Sequence, residues 1–297
     1  MNYKERGSDK VFTMANNILL GILFLIVAYP LLYVISASLS DSNAIIQGRV
    51  KLFPVGFNLD GYKAVFSHGS IMTGFFNSFF YMTVGTLVNI ILTIMIAYPL
   101  SRQKLIGKKV ISLMLVFTIM FNAGLIPNYL LIDTLDLIDK RAVMIIPKAL
   151  NVFNVMITIT YFKTTIPKEL LESARIDGCD DINFICKIVL PLSRPIIAVI
   201  TLFYAVEHWN SFFDALIYLN SKSLLPLQII LRDILVQNLI SLDMVSSIDP
   251  DTLQSSEKLA VLLKYSLIVV ASAPLMVLYP FIQRHFVKGV MVGSVKG

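Results

Sequence analysis

Glu172, Arg175 and Asp177 stand within six residues of one another, in a stretch (167–191) far more polar than the rest of the chain. Lys168, Glu169, Asp180, Asp181 and Lys187 extend the same run. Carboxylates and cations at this spacing suit ion pairing with another surface, since a carboxylate accepts an arginine in fork geometry. Covalent chemistry has no equivalent constellation. His68, His208 and His285 are scattered, so no metal spacing exists. No nucleophile–base pattern is readable. No glycine-rich phosphate loop ending in Lys-Ser or Lys-Thr occurs, so no nucleotide site of that kind is expected. Cys179 and Cys186 both lie in the polar run, and no disulfide framework follows from two cysteines.

A second group of polar side chains sits inside apolar runs: Asn77, Asn89, Asn151, Asn154, Glu207, His208, Trp209, Asn210 and Asp214. Polar groups at membrane depth face protein or water. Aromatic faces beside amides and carboxylates suit a sugar. The same residues also serve helix packing through interhelical hydrogen bonds. Both readings stand at this point. Lys148 and Lys264 are isolated charges that can snorkel to an interface.

Local signals shape the polar run into an elbow. Pro167 fits a first helical position, and Gly178 suits a left-handed helix end. Asp180 or Asp181 can cap a second helix, and Pro191 stops it. Small Ser173 and Ala174 permit close approach of another backbone.

The spaced pattern Glu172-Ser173-Ala174, Gly178, Ile188-Val189-Leu190-Pro191 resembles the EAA loop of binding-protein-dependent ABC importer permeases. Ser173 replaces the first alanine and is the one departure. The flanks Lys168-Glu169-Leu170, Ala174-Arg175-Ile176-Asp177-Gly178 and His208-Trp209-Asn210 are similar to the carbohydrate branch, in its maltose-type second permease. Phe121-Asn122-Ala123-Gly124-Leu125-Ile126-Pro127 and Gly293-Ser294-Val295-Lys296-Gly297 resemble a complex-oligosaccharide subgroup.

The resemblance implies a type I importer permease fold and a heterodimer with a second permease subunit. It implies two ATP-binding subunits, shared among sugar importers in that subgroup, and an extracellular sugar-binding lipoprotein. ATP and Mg would belong to the ATPase, with no cofactor and no nucleic acid on this chain. Glu169, Glu172, Ser173, Ala174, Arg175, Asp177, Gly178, Leu190 and Pro191 would then contact the ATPase. Gly293, Ser294 and Lys296 would reach the interface between the ATPase subunits.

The elements that must position these residues are membrane helices. The chain has 297 residues, 56% hydrophobic and 15% charged, against roughly 25% charged in soluble domains. Six runs are expected to span: 17–39, 71–100, 110–131, 142–162, 196–219 and 259–282. The loop 163–195 and a tail 283–297 complete a single all-α permease domain. The connection 220–257 is the longest. Segments on the amino-terminal side hold fifteen Lys and Arg. The opposite loops hold seven: Arg49, Lys51, Lys63, Lys140, Arg141, Lys222 and Arg232. The positive-inside rule therefore expects both termini and the elbow in the cytoplasm of a multi-pass cell-membrane protein. A self-contained ion-coupled carrier or channel is the rival. Such carriers usually carry internal repeats and midplane ionisable pairs, and no repeat is visible.

Overall fold

The computed structural model describes residues 7–102, 105–243 and 250–294. Among them every regular element is helical. In order these are α1 (Gly7–Ser38), α2 (Ser42–Ile46), α3 (Asp60–Ser67), α4 (Gly69–Ser101), α5 (Lys108–Met120), α6 (Leu125–Thr134) and α7 (Val152–Thr165). There follow α8 (Lys168–Ile176), α9 (Asp181–Phe184), α10 (Leu190–Leu192), α11 (Arg194–Trp209), α12 (Phe213–Tyr218), α13 (Leu227–Asp243) and α14 (Pro250–Ser294). Three of these contain a stretch long and apolar enough to cross a membrane: Asp9–Ser38, Gly69–Ser101 and Lys258–Pro280. Two bent pairs raise the number to as many as five: Lys108–Met120 with Leu125–Thr134, at 117°, and Asp181–Leu192 with Arg194–Trp209, at 82°. The protein is an all-α, multi-pass membrane protein.

Contacts divide the chain into two compact units. The first joins Met1–Gly69 to Leu231–Ser272. Its core gathers Ala37, Ala44, Ile45, Val50 and Leu262, and Tyr33 meets Tyr265 edge-on at 5.8 Å. Gly61 permits the closest approach here, because a Cβ there would run into the Ser266 side chain. The apolar length of α1 stays exposed within this chain, as suits a lipid-facing or subunit-facing helix.

The second unit joins Ser70–Ile230 to Ala273–Gly297 and holds every candidate site residue outside the tail. One cluster packs Ala97, Tyr98, Val155, Phe162, Phe184, Val189, Ile200 and Tyr204. Another packs Tyr81, Ile132, Val143, Met144, Ala215, Tyr218 and Ile229. Asp139 ties two loops together: its carboxylate accepts from the Asn220 and Ser221 amides, at 2.9 and 2.8 Å, and from the Ser221 hydroxyl. Those donors, the Ser221 hydroxyl first, hold the Asp139 carboxyl below the ordinary carboxylate range.

The helices differ from the expected spans at three places, and an expected connection holds a helix. The run 110–131 is broken at residues 121–124. There Gly124 takes φ +84°, and Asn122 Oδ1 accepts the Gly124 amide at 3.0 Å. The run 142–162 begins as a short 3-10 turn, Arg141–Met144, passes Pro147, and becomes α-helical only at Val152. The fourteen residues of α7 rise about 21 Å, less than the ~30 Å hydrocarbon core. The run 196–219 is interrupted after Trp209. The connection 220–257 contains α13, a seventeen-residue helix whose first turns are buried at Leu227, Ile229 and Ile230. Of the tail residues, Gly293 and Ser294 are described as helical backbone alone, and Lys296 lies outside the described residues, as do Lys4, Arg6 and Lys104.

Candidate functional site

The elbow is built from capping chemistry. Pro167 (φ −59°, ψ 152°) precedes α8 as its cap, one position before the first helical residue expected of it. Glu169 in the first turn and Arg175 in the last complement the helix dipole. The helix closes on Gly178, whose φ of +77° is costly for any residue with a Cβ. The Cys179 amide donates to Ala174 carbonyl at 2.9 Å and the Gly178 amide to Arg175 carbonyl at 3.1 Å. This is the Schellman pairing, and it satisfies carbonyls a helix end would otherwise leave open. Asp180 then caps α9, accepting the Asn183 amide at 2.9 Å. Arg175 reaches across the turn to Asp181 at 3.3 Å.

A π-helical turn, Ile185–Val189, follows. It carries the carbonyl of Lys187 that an α-helical Pro191 ring would strike, and a wider turn moves that carbonyl aside. Leu190 and Pro191 continue as α10, and the chain bends only at Ser193. Pro191 therefore does not end the helix as the sequence suggested.

One face of the elbow is anchored and the other is open. Ala174, Phe184 and Val189 are buried in the cluster with Phe162 of α7, Ile166 just after it and Tyr98 of α4. Phe184, 1% exposed, sits 6.4 Å from the Tyr98 ring. Glu169, Glu172, Ser173, Arg175, Asp177 and Gly178 are exposed. Glu172 makes no ion pair among the described residues. Ile176 and Ile182 flank Gly178 and are 86% and 72% exposed. Sequence reasoning assigns neither a role, and Ile176 enters it only as part of the flank 174–178. Their signal was an isoleucine on each side of the turn glycine in an otherwise charged run. The anchored face packs the elbow against α4 and α7, and the open face presents carboxylates and two apolar side chains.

Behind the elbow lies a cavity of about 840 Å³, walled by α8, α9 and the adjoining ends of α4, α5 and α7. Arg102, Lys108, Lys163, Lys168 and Arg175 line it, against the carboxylates Glu172 and Asp181.

Asn77, Asn89 and His208 form hydrogen bonds between segments distant in sequence. Asn77 donates to the Ser223 and Leu225 carbonyls, at 2.8 and 3.0 Å, and accepts from Arg141 at 3.0 Å. Asn89 donates to the Lys148 carbonyl at 2.5 Å, and its Oδ1 lies 2.7 Å from His208 Nε2. With that amide orientation the imidazole donates from Nε2, leaving Nδ1 a buried acceptor with no donor among the described residues. Asn151 caps α7 by accepting the Asn154 amide, and the Tyr204 hydroxyl pairs with Thr93 at 2.7 Å. Asn154 is buried, and its carbonyl accepts from Thr158. Trp209 is buried edge-on to Phe75 at 5.7 Å. Asn210 is exposed at the end of α11 and Glu207 half-buried. Lys148 and Asp214 are not isolated charges: they form an ion pair, to which the Ser211 hydroxyl adds a bond at 3.3 Å. The geometry brings Asn89, His208, Lys148 and Asp214 into one neighbourhood, and holds Asn77 in a separate one with Arg141.

No family model matches the chain. Similarity to individual proteins is extensive. It is 38% identical over 290 residues to Protein LplC of Bacillus subtilis, covering 98% of this chain and 96% of that one. It is 41% identical over 276 residues to the polygalacturonan/rhamnogalacturonan transport system permease protein YtcP of the same organism, covering 92% and 94%. The fold matches a chain from the crystal structure of a bacterial ABC transporter involved in the import of the acidic polysaccharide alginate. There the TM-score is 0.86 at 31% identity, over 96% of this chain and all of that one. With an all-α membrane fold and relatives matched nearly end to end, the chain belongs to the carbohydrate-uptake ABC importer permeases.

Proposed function

We propose that this chain is one of two permease subunits of an ATP-driven importer that translocates oligosaccharides handed over by an extracellular binding protein. The observation that carries the reading is the elbow. It is a Schellman-closed turn, rigidly seated on α4 and α7, with Glu172, Ile176 and Ile182 open to a partner. The partner is an ATP-hydrolysing subunit, one beneath each permease. Closure of the ATPases moves the elbow, and the bundle switches the side on which its cavity opens. The permease contributes a difference in substrate contact between two conformations, which is what lets a ligand bias them. In this reading both termini and the elbow face the cytoplasm, and Gly293, Ser294 and Lys296 extend to the ATPase interface. The reading keeps six crossings, through α1, α4, α5–α6, the run 142–162 that ends in α7, α11–α12 and α14. The names of two similar systems put acidic sugar chains first among the cargoes.

Asn89, Asn151, Asn154, Glu207, His208, Trp209, Asn210 and Asp214 remain the proposed cavity set, with Asn77 in its separate neighbourhood beside Arg141. The hydrogen bonds of Asn77, Asn89 and His208 within the chain favour a wall-building role for these three over direct ligation.

Among the described residues, the Lys148–Asp214 pair is the feature an ion-coupled carrier would use. Reconstitution separates the two. Vesicles holding this chain, its partner permease and the ATPase should take up an oligosaccharide panel only with ATP and the binding protein. This chain alone under a proton or sodium gradient should take up none. Gradient-driven uptake by the chain alone would establish the carrier instead.

A further inference from the structure

The cavity behind the elbow holds more positive charge than this chain neutralises. Arg175 is paired with Asp181, but Arg102, Lys108, Lys163 and Lys168 have no ion-pair partner among the described residues. Arg102 is the telling one. Its guanidinium lies 4.7 Å from the Tyr98 ring centroid and 5.9 Å from that of Phe184. The rings fix its position, as cation–π contacts do. Yet Nε and Nη2 are buried with no hydrogen-bond partner among the described residues. These two nitrogens form the side-on edge of the guanidinium, the edge that grips an oxyanion with two parallel bonds. A buried guanidinium edge without an acceptor is unfavourable, so the site is built for an acceptor from outside the chain.

The surroundings say which kind. Lys108 opens α5 and Lys163 lies in the last turn of α7, so the charges sit where apolar helices end. Leu105, Phe162 and Ile166 supply apolar wall to the same cavity. Basic pockets of this kind between helix ends take lipid headgroups. We propose that this cavity binds the phosphate of an anionic phospholipid from the cytoplasmic leaflet. The Arg102 fork grips the phosphate, Lys108 and Lys163 flank it, and the apolar wall takes the glycerol end. The choice of leaflet rests on the orientation given above; the anion site itself does not.

Native mass spectrometry of the full importer, released from nanodiscs of equal phosphatidylglycerol and phosphatidylcholine, tests this. Wild type should retain phosphatidylglycerol, and excess inorganic phosphate should not displace it. Arg102→Gln should lower retention about tenfold, the loss expected from removing a charge-assisted partner. Arg102→Lys should fall between, keeping the charge but losing the fork. Lys163→Gln, at an exposed position, carries the same readout should Arg102→Gln assemble poorly. Indifferent retention of the two lipids, or displacement by inorganic phosphate, overturns the lipid assignment. So does loss of the ATPase in Arg102→Gln with lipid retention unchanged, which would make the cavity a protein contact. Wild-type complex that keeps its ATPase without lipid sinks this inference alone. Wild-type permease that never holds an ATPase sinks the coupling reading.

Discussion

Replacing Gly178 should uncouple the importer in an order set by backbone conformation. At φ +77° an L-residue is disfavoured by roughly 1–2 kcal/mol, least for Asn and most for a β-branched side chain. No atom lies within 4 Å of where a Cβ would stand, so nothing in this chain obstructs the new side chain. Gly178→Asn should keep most ATP-dependent uptake. Gly178→Ala should lose about tenfold, and Gly178→Val more, if the strain is relieved by opening the elbow angle. The bundle should still fold, because the anchored residues Ala174, Phe184 and Val189 are untouched. Uptake and ATPase copurification are the readouts. Full activity in both Gly178→Ala and Gly178→Val would mean that the elbow angle carries no force.

Gly85→Ala should damage the bundle itself. A Cβ there falls within the His208 imidazole, against Nε2, Cε1 and Cδ2. The ring must leave, and with it the bond to Asn89. Overpacking costs about 1–3 kcal/mol and an unmade buried hydrogen bond about as much, so a loss of ~2–6 kcal/mol is expected. His208→Ala removes the obstacle, so the double variant should be less damaged than the two single effects summed, by at least ~1 kcal/mol. Thermal unfolding of the purified protein measures the cycle. Strict additivity would show that Gly85 and His208 do not share the contact the structure gives them.

The contrast between these two glycines shows what the sequence could disclose. Gly178 was legible because a helix end is a local event: glycine, a capping aspartate and a proline lie within a few residues of one another. Gly85 was not, because its requirement comes from His208, more than a hundred residues away. The Lys148–Asp214 pair was missed for the same reason, since isolated charges in a sequence carry no sign of being partners. The breaks at Gly124 and Pro147 did carry local signals. Long apolar runs masked them, because hydropathy reports whether a stretch suits lipid and not whether its helix is continuous. The helix α13 went unread inside a connection judged by its polar ends. The exposed Ile176 and Ile182 show the limit from the other side: exposure is a property of the fold, and a lone isoleucine in a sequence is usually buried.

The two cysteines of this chain both lie in the elbow, and Cys186 is exposed. They allow the most direct test, with a membrane-impermeant maleimide applied to intact cells and to inside-out vesicles. The expected result is labelling of Cys186 only when the cytoplasmic face is open, reduced when the ATPase is bound and restored when it is stripped. Labelling from outside intact cells, or labelling indifferent to the ATPase, would contradict an elbow that receives force from an ATP-driven partner.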